Sequence, residues 1–176
     1  ATECVGGIAT AVGKARFGPY LPDFFRLAVE GTALECYQLR EAAYSFFSSI
    51  ALMLDTEFAQ FMPTVMPLLI ATCASDDGLV VNQEDTDAFG NKIEEEISDS
   101  DPDDEDDDEG MSRRVKFSIR SGALDEKIAA VETISTIANV VGEPLVPYLD
   151  KCIEYMQELS EYPHYIVRKV VLQAFE

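Results

Sequence analysis

The sequence predicts an all-α chain, a solenoid of antiparallel helix pairs stacked side by side and interrupted once by a long acidic insertion. Two observations carry that prediction. Apolar residues recur at helical spacing almost everywhere outside residues 76–122. The same landmarks also return along the chain at a fixed interval, as stacked units require. A third observation marks the interruption: between Asp76 and Gly110 stand 17 carboxylates and a single base, Lys92, which supply −16 of the formal charge of −20.

The landmarks are of three kinds. Ile8-Ala9, Ile50-Ala51 and Ile137-Ala138 close similar helices, the first two 42 residues apart and the third a further 87. Basic residues open similar helices at Arg40, Lys127 and Arg168, the last two 41 apart. A proline stands near the start of the following helix in Tyr20-Leu21-Pro22, Phe61-Met62-Pro63 and Leu145-Val146-Pro147, at intervals of 41 and 84. The period is therefore 41 to 42 residues, with one insertion of similar length. Two-helix units of about 40 to 47 residues are the signature of HEAT or armadillo solenoids. The expected division is helix pairs over 1–75, the insertion and its return over 76–122, and helix pairs again over 123–176.

Each element has a local cause. In the second unit, Tyr44, Phe47, Ile50, Ala51 and Leu54 give one buried stripe on a first helix. Asp55-Thr56-Glu57 makes the turn, and Phe58 to Ala74 forms the second helix. Pro63 falls in its first turns, where a missing N–H costs little, whereas Pro67 lies deeper and should bend it. In the last full unit, Ala123 to Val141 is the first helix, Gly142 its C-cap, and Pro144 to Ser160 the second. There Leu145, Leu149, Cys152, Ile153 and Met156 form the expected buried stripe. A fourth unit begins near Pro163. Each pair carries more apolar surface than it can bury alone, and stacking on neighbours buries the rest.

Residues 76–110 repel one another too strongly to pack and are expected to be mostly disordered. Arg113 to Arg120 then alternates apolar and polar residues, which fits either a short extended strand or a loop tucking its apolar side chains onto the helices. Arg113, Arg114, Lys116 and Arg120 directly follow the acidic run, and part of that run could fold back onto them.

Composition excludes several classes. No stretch approaches ~18 uninterrupted apolar residues, so a membrane partner is not expected. The opening Ala-Thr-Glu-Cys does not read as a signal peptide. It looks like the inside of a helix, and Val170 to Phe175 stop in mid-pattern, so the sequence is expected to be a piece of a longer protein. Cys4, Cys36, Cys73 and Cys152 lie far apart in apolar helical patterns and read as buried, reduced thiols of a cytosolic or nuclear protein. No Gly-rich phosphate loop, nucleophile elbow or zinc-protease motif is present, so no catalytic residue, cofactor or enzyme activity is expected. The acidic run lacks the glycine and spacing of a calcium loop, and one histidine, His164, leaves no metal set; His164 follows a proline and reads as a surface or capping residue. The charge disfavours nucleic acid.

The residues quoted resemble the importin-β (karyopherin-β) superfamily of HEAT-repeat transport receptors, and most nearly its importin-four branch, called Kap-one-two-three in yeast. The motif from Ala123 to Glu132, Ala-Leu-Asp-Glu-Lys-Ile-Ala-Ala-Val-Glu, the later Pro147-Tyr148-Leu149, and the acidic insertion just before that helix pair carry the resemblance. It covers the whole chain, as a central block of three full repeats and part of a fourth. It implies a nuclear import receptor that shuttles between cytoplasm and nucleus and binds nuclear-localisation segments of histones or ribosomal proteins. Contact with Phe-Gly nucleoporins and release by Ran-GTP are implied for the full-length protein only. Phosphatase and condensin scaffolds share the helix pattern, so a structural scaffold with the acid as spacer stays open, as does a histone chaperone using it as a shield.

In that family the second helices line the concave side. Here Asp150, Glu154 and Glu158 recur every four residues, which puts three carboxylates in one row suited to a lysine-rich extended peptide. Asp23 and Glu30 offer a sparser version broken by Arg26, while the helix from Phe58 to Ala74 offers packing surface only. The acidic arm, Asp99, Asp101 and Asp103-Asp104-Glu105-Asp106-Asp107-Asp108-Glu109, should draw basic cargo by salt-sensitive attraction. Ser98 and Ser100 each have an acidic residue three positions on and fit acidophilic kinase sites, where phosphate would deepen the same field.

Overall fold

The computed structural model describes residues 2–76, 79–81, 117–119 and 121–175. Its helices are α1 (Thr2–Val12), α2 (Lys14–Phe17), α3 (Leu21–Thr32), α4 (Tyr37–Leu54), α5 (Met62–Ala74), α6 (Ser121–Val141), α7 (Val146–Ser160) and α8 (Tyr165–Ala174). Short 3-10 segments, Asp55–Phe61 and Glu143–Leu145, lead into α5 and α7. Two strands, β1 (Leu79–Val81) and β2 (Phe117–Ile119), pair antiparallel with Leu79 opposite Ile119 and Val81 opposite Phe117.

The repeat visible in the sequence is a repeat of backbone geometry. The first helix of each unit ends at a residue with positive φ: Gly13 at +77°, Asp55 at +56° and Gly142 at +67°. That conformation reverses the chain sharply, and glycine adopts it without steric cost. A proline then occupies the first turn of each following helix, α3, α5 and α7, where its lost N–H has no intrahelical partner to miss. Asp55 is the exception to the glycine pattern, with φ +56° and ψ −139°. Its turn has another consequence. Tyr37–Ala74 is long and apolar enough by composition to cross a membrane, but the reversal at Asp55 divides it into two helices that both bury residues in the stack.

The helices form two layers. In the first, α1 packs on α4, α4 on α6 and α6 on α8; in the second, α5 packs on α7. Each second helix also packs on the first helix of the following unit, α3 on α4, α5 on α6 and α7 on α8. The most extensive pairing is α4 with α6, although α5 and the whole insertion separate them in sequence.

Between the layers lies the core. The expected stripe of α4 is buried in full, joined by Ala43 and Phe46. Phe58, Met62, Val65, Met66 and Leu69 close over it. The Phe25 ring centroid lies 5.3 Å from that of Phe47 and 4.5 Å from that of Phe61, tying α3 to the second unit. A buried side chain of this size contributes roughly 1.5–3 kcal/mol relative to exposure. α5 runs through Pro67 as a helix, forgoing one backbone hydrogen bond.

Three expectations need correction. Leu149 and Ile153 are 40% and 38% exposed, so the buried stripe of α7 is Cys152, Met156 and Leu159, continued from Leu145 in the 3-10 segment before it. At 100° per residue, Leu149 and Ile153 fall on the flank of that stripe, where no described helix covers them. Of the four cysteines, only Cys73 and Cys152 are buried; Cys4 is exposed and Cys36 half-buried, although all four are free. Finally, the region read as mostly disordered from Asp76 onward includes the strand Leu79–Val81. Three consecutive β-favouring apolar residues find an antiparallel partner in the return segment, where Phe117–Ile119 realises the extended alternative.

Candidate functional site

The outward face of α7 is where the sequence-predicted residues converge. Asp150, Glu154 and Glu158 are all exposed and succeed one another by one turn. Val146, Leu149 and Ile153, themselves exposed, form an apolar ridge on one side of the row, because their helical angles lie between the acids and the buried stripe. An extended peptide laid along α7 would thus meet carboxylates and apolar surface together.

The face of α3 is weaker. Asp23 and Glu30 are exposed, but Arg26 Nη1 donates to Glu30 Oε1 at 2.7 Å and engages that carboxylate within the helix. The exposed positions of α5 are Pro63, Thr64, Pro67, Ala71 and Ala74, none of them charged. The three second helices therefore share a place in the repeat but differ in what they present.

A buried polar node that the sequence pattern does not announce joins α4, α5 and α6. Glu126, 5% exposed, and Lys127, 2% exposed, lie side by side near the start of α6. Arg40 Nε of α4 stands 2.9 Å from Glu126 Oε1, a close ion pair rather than a well-directed hydrogen bond. Thr72 of α5 donates to the same oxygen at 3.0 Å, and its hydroxyl is shared with the Tyr44 phenol at 2.6 Å. Lys127 Nζ donates to the carbonyls of Thr72, Cys73 and Ser75 at 3.0, 3.3 and 2.6 Å. These carbonyls stand at and just beyond the C-terminal end of α5, where the helix dipole favours a cation. Arg168 does the same one unit later, donating to Tyr162 O and Pro163 O at 2.8 Å just beyond α7. The recurrence of bases at Lys127 and Arg168 was the available signal, since each sits where the preceding helix ends.

Burial shapes the titration of this region. Desolvation pushes the Tyr44 phenol up to about 12, against the lowering effect of its Thr72 hydrogen bond. It likewise pushes the Cys73 thiol up to about 12 although Lys127 lies near. Both groups stay neutral under ordinary conditions, so neither is an activated nucleophile. A cavity of about 220 Å3 opens beside the node, lined in part by Thr32, Tyr37, Arg40, Thr72, Glu126 and Lys127. Its polar groups are already engaged in holding helices together. His164 caps α8, its Nδ1 accepting from Ile166 N at 3.3 Å.

The acidic run Asp99 to Glu109, the serines Ser98 and Ser100, and the bases Arg113, Arg114, Lys116 and Arg120 lie outside the described residues. So does any pairing between them.

No family model matches the chain. It is 27% identical over 172 residues, 98% of its length, to a probable importin subunit beta-4 of Schizosaccharomyces pombe. Its fold is similar to that of Kap121p bound to Ste12p, with a TM-score of 0.66 and 23% identity over 99% of the chain. It is likewise similar to Kap121p bound to Pho4p, with a TM-score of 0.65 and 21% identity over 94% of the chain. The chain spans 16% of the length of the curated relative and 16% and 15% of the two solved chains. Together these likenesses support an importin-β-superfamily segment with the HEAT-repeat solenoid fold.

Proposed function

We propose that this segment of an importin-β-type receptor binds basic, extended segments of cargo proteins through the exposed face of α7, assisted by the acidic insertion. The observation that carries the reading is the row Asp150, Glu154 and Glu158, exposed on a second-layer helix with an apolar ridge beside it. The similarity to Kap121p, whose solved structures hold Ste12p and Pho4p, supports a cargo-binding role. Lysine-rich segments of histones or ribosomal proteins fit the charge. In the longer protein, shuttling through the nuclear pore, contact with Phe-Gly nucleoporins and release by Ran-GTP complete the proposed activity.

A single exposed ion pair contributes only ~0–1 kcal/mol, so the row acts through number. The insertion adds a long-range field that raises encounter rates and weakens with salt. The test is binding of a lysine-rich histone-tail peptide to the chain and to its Asp150→Asn, Glu154→Gln, Glu158→Gln triple variant. Three lost pairs should weaken binding about 5- to 30-fold at low salt. Unchanged affinity would remove α7 from the proposal.

A further inference from the structure

We propose that the cavity beside the α4–α5–α6 node receives one carboxylate of a bound peptide, an Asp or Glu side chain held by the guanidinium of Arg40. The bases that open the first helices show why a place is left there. Lys127 and Arg168 both reach back, donating to carbonyls at or just beyond the end of the preceding second helix. Arg40 opens α4 in the same way, yet it donates to no carbonyl of α3. The last turn of α3 is closed by its own groups, Thr32 Oγ1 donating to Val29 O at 2.7 Å and Ala33 N to Glu30 O at 3.2 Å. Arg40 Nε instead faces forward, 2.9 Å from Glu126 Oε1 in the following unit. The side chain thus lines the space between Thr32 at the end of α3 and Ser75 just beyond α5.

The guanidinium is held in place without being used up. One edge faces Glu126, and its central carbon lies 5.3 Å from the centroid of the Tyr37 ring. Among the described residues its two Nη atoms form no hydrogen bond, although they carry four of the five guanidinium N–H donors. A carboxylate accepts two such donors side by side, which is the pairing the planar fork favours. The cavity of about 220 Å3 is smaller than the roughly 300–1,000 Å3 of sites for small organic ligands. It suits a single side chain, with Leu68 and Ala71 as a wall for the stem.

Charge alone does not choose the occupant. Lys127 adds a second cation against Glu126, while the C-terminal ends of α3 and α5 bring partial negative charge. The balance is close, so the fork selects: a carboxylate finds matched donors, whereas a lysine meets Arg40 and Lys127. The source of the carboxylate rests on the proposed function, in which an extended peptide crosses the second helices. Its cargo would then be a lysine-rich segment carrying one acidic residue, not a uniformly basic one.

The experiment walks one glutamate along a lysine-rich histone-tail peptide, with glutamine at the same position as control. Affinity is measured for the unaltered chain and for Arg40→Lys, which keeps the charge but not the fork. At one position the glutamate peptide should bind about 5-fold more tightly than its control, and Arg40→Lys should abolish that preference. No preferred position, or a preference that survives Arg40→Lys, overturns the proposal. If neither peptide binds, the cargo reading fails, and thermal unfolding decides the cavity. Ala71 is an exposed helical position in the cavity wall, so Ala71→Glu supplies a carboxylate from within the chain. The Tm of Ala71→Glu relative to Ala71→Gln should be about 2 °C or more higher with Arg40 present than in the Arg40→Lys chain. Equal differences in the two backgrounds overturn the site.

Discussion

α5 and α7 occupy the same place in successive units, yet one is spent on packing and the other leaves an acidic and partly apolar face exposed. α5 carries no charged residue, buries Met62, Val65, Met66, Leu69 and Cys73, and shows the solvent prolines, alanines and a threonine. α7 buries only Cys152, Met156 and Leu159 and exposes three acids with an apolar ridge. Both start with proline in the first turn after a positive-φ reversal, and both end under a cation from the next helix. Repeat position thus determines backbone path and capping, while residues off the buried stripe are free to differ between units. Function in a solenoid resides in that freedom.

The same truncation on the two helices should give the widest contrast. Leu69→Ala, at 0% exposed, should cost about 2–5 kcal/mol by the loss of buried apolar surface and the cavity left behind. Leu149→Ala, at 40% exposed, should cost under about 1 kcal/mol, while weakening peptide binding. Chemical denaturation of both variants would check it; similar losses would mean that α7 is also a packing helix. Next comes thiol labelling. Cys73 on α5 and Cys152 on α7 are buried with thiols pushed up by desolvation, so a maleimide should react with exposed Cys4 long before either. Smallest is Asp55→Gly. It relieves a non-glycine residue at φ +56° and should stabilise the chain by about 0.5–1 kcal/mol, visible as a small rise in Tm.

Much of this was legible because periodic burial is a one-dimensional signal. Tyr44, Phe47, Ile50, Ala51 and Leu54 lie on one helical stripe whatever packs against them, and all five are buried. The turn at Asp55 to Glu57 and the reversal at Gly142 announced themselves by composition and spacing. What escaped depends on which helix lies opposite. Nothing in the spacing marks Glu126 and Lys127 as buried, because it is α4 and α5, packed over them from across the insertion, that cover them. Leu149 and Ile153 read as core because apolarity alone does not say how wide a stripe its neighbours cover. Leu79–Val81 was absorbed into an acidic segment because a strand of three residues needs its partner to be recognised. For the site, the row on α7 was visible from four-residue spacing, whereas the pairing of Glu30 with Arg26 had only been suggested by the interrupting base.

The most direct measurement is the affinity of a lysine-rich histone-tail peptide for the chain with and without Asp99 to Glu109, titrated with salt. Capture by a concentrated anionic segment predicts a large loss on deletion at low salt that shrinks as ionic strength rises, because screening removes what the segment supplies. Equal affinity of the two forms at every salt concentration would contradict the account and leave the insertion as a spacer.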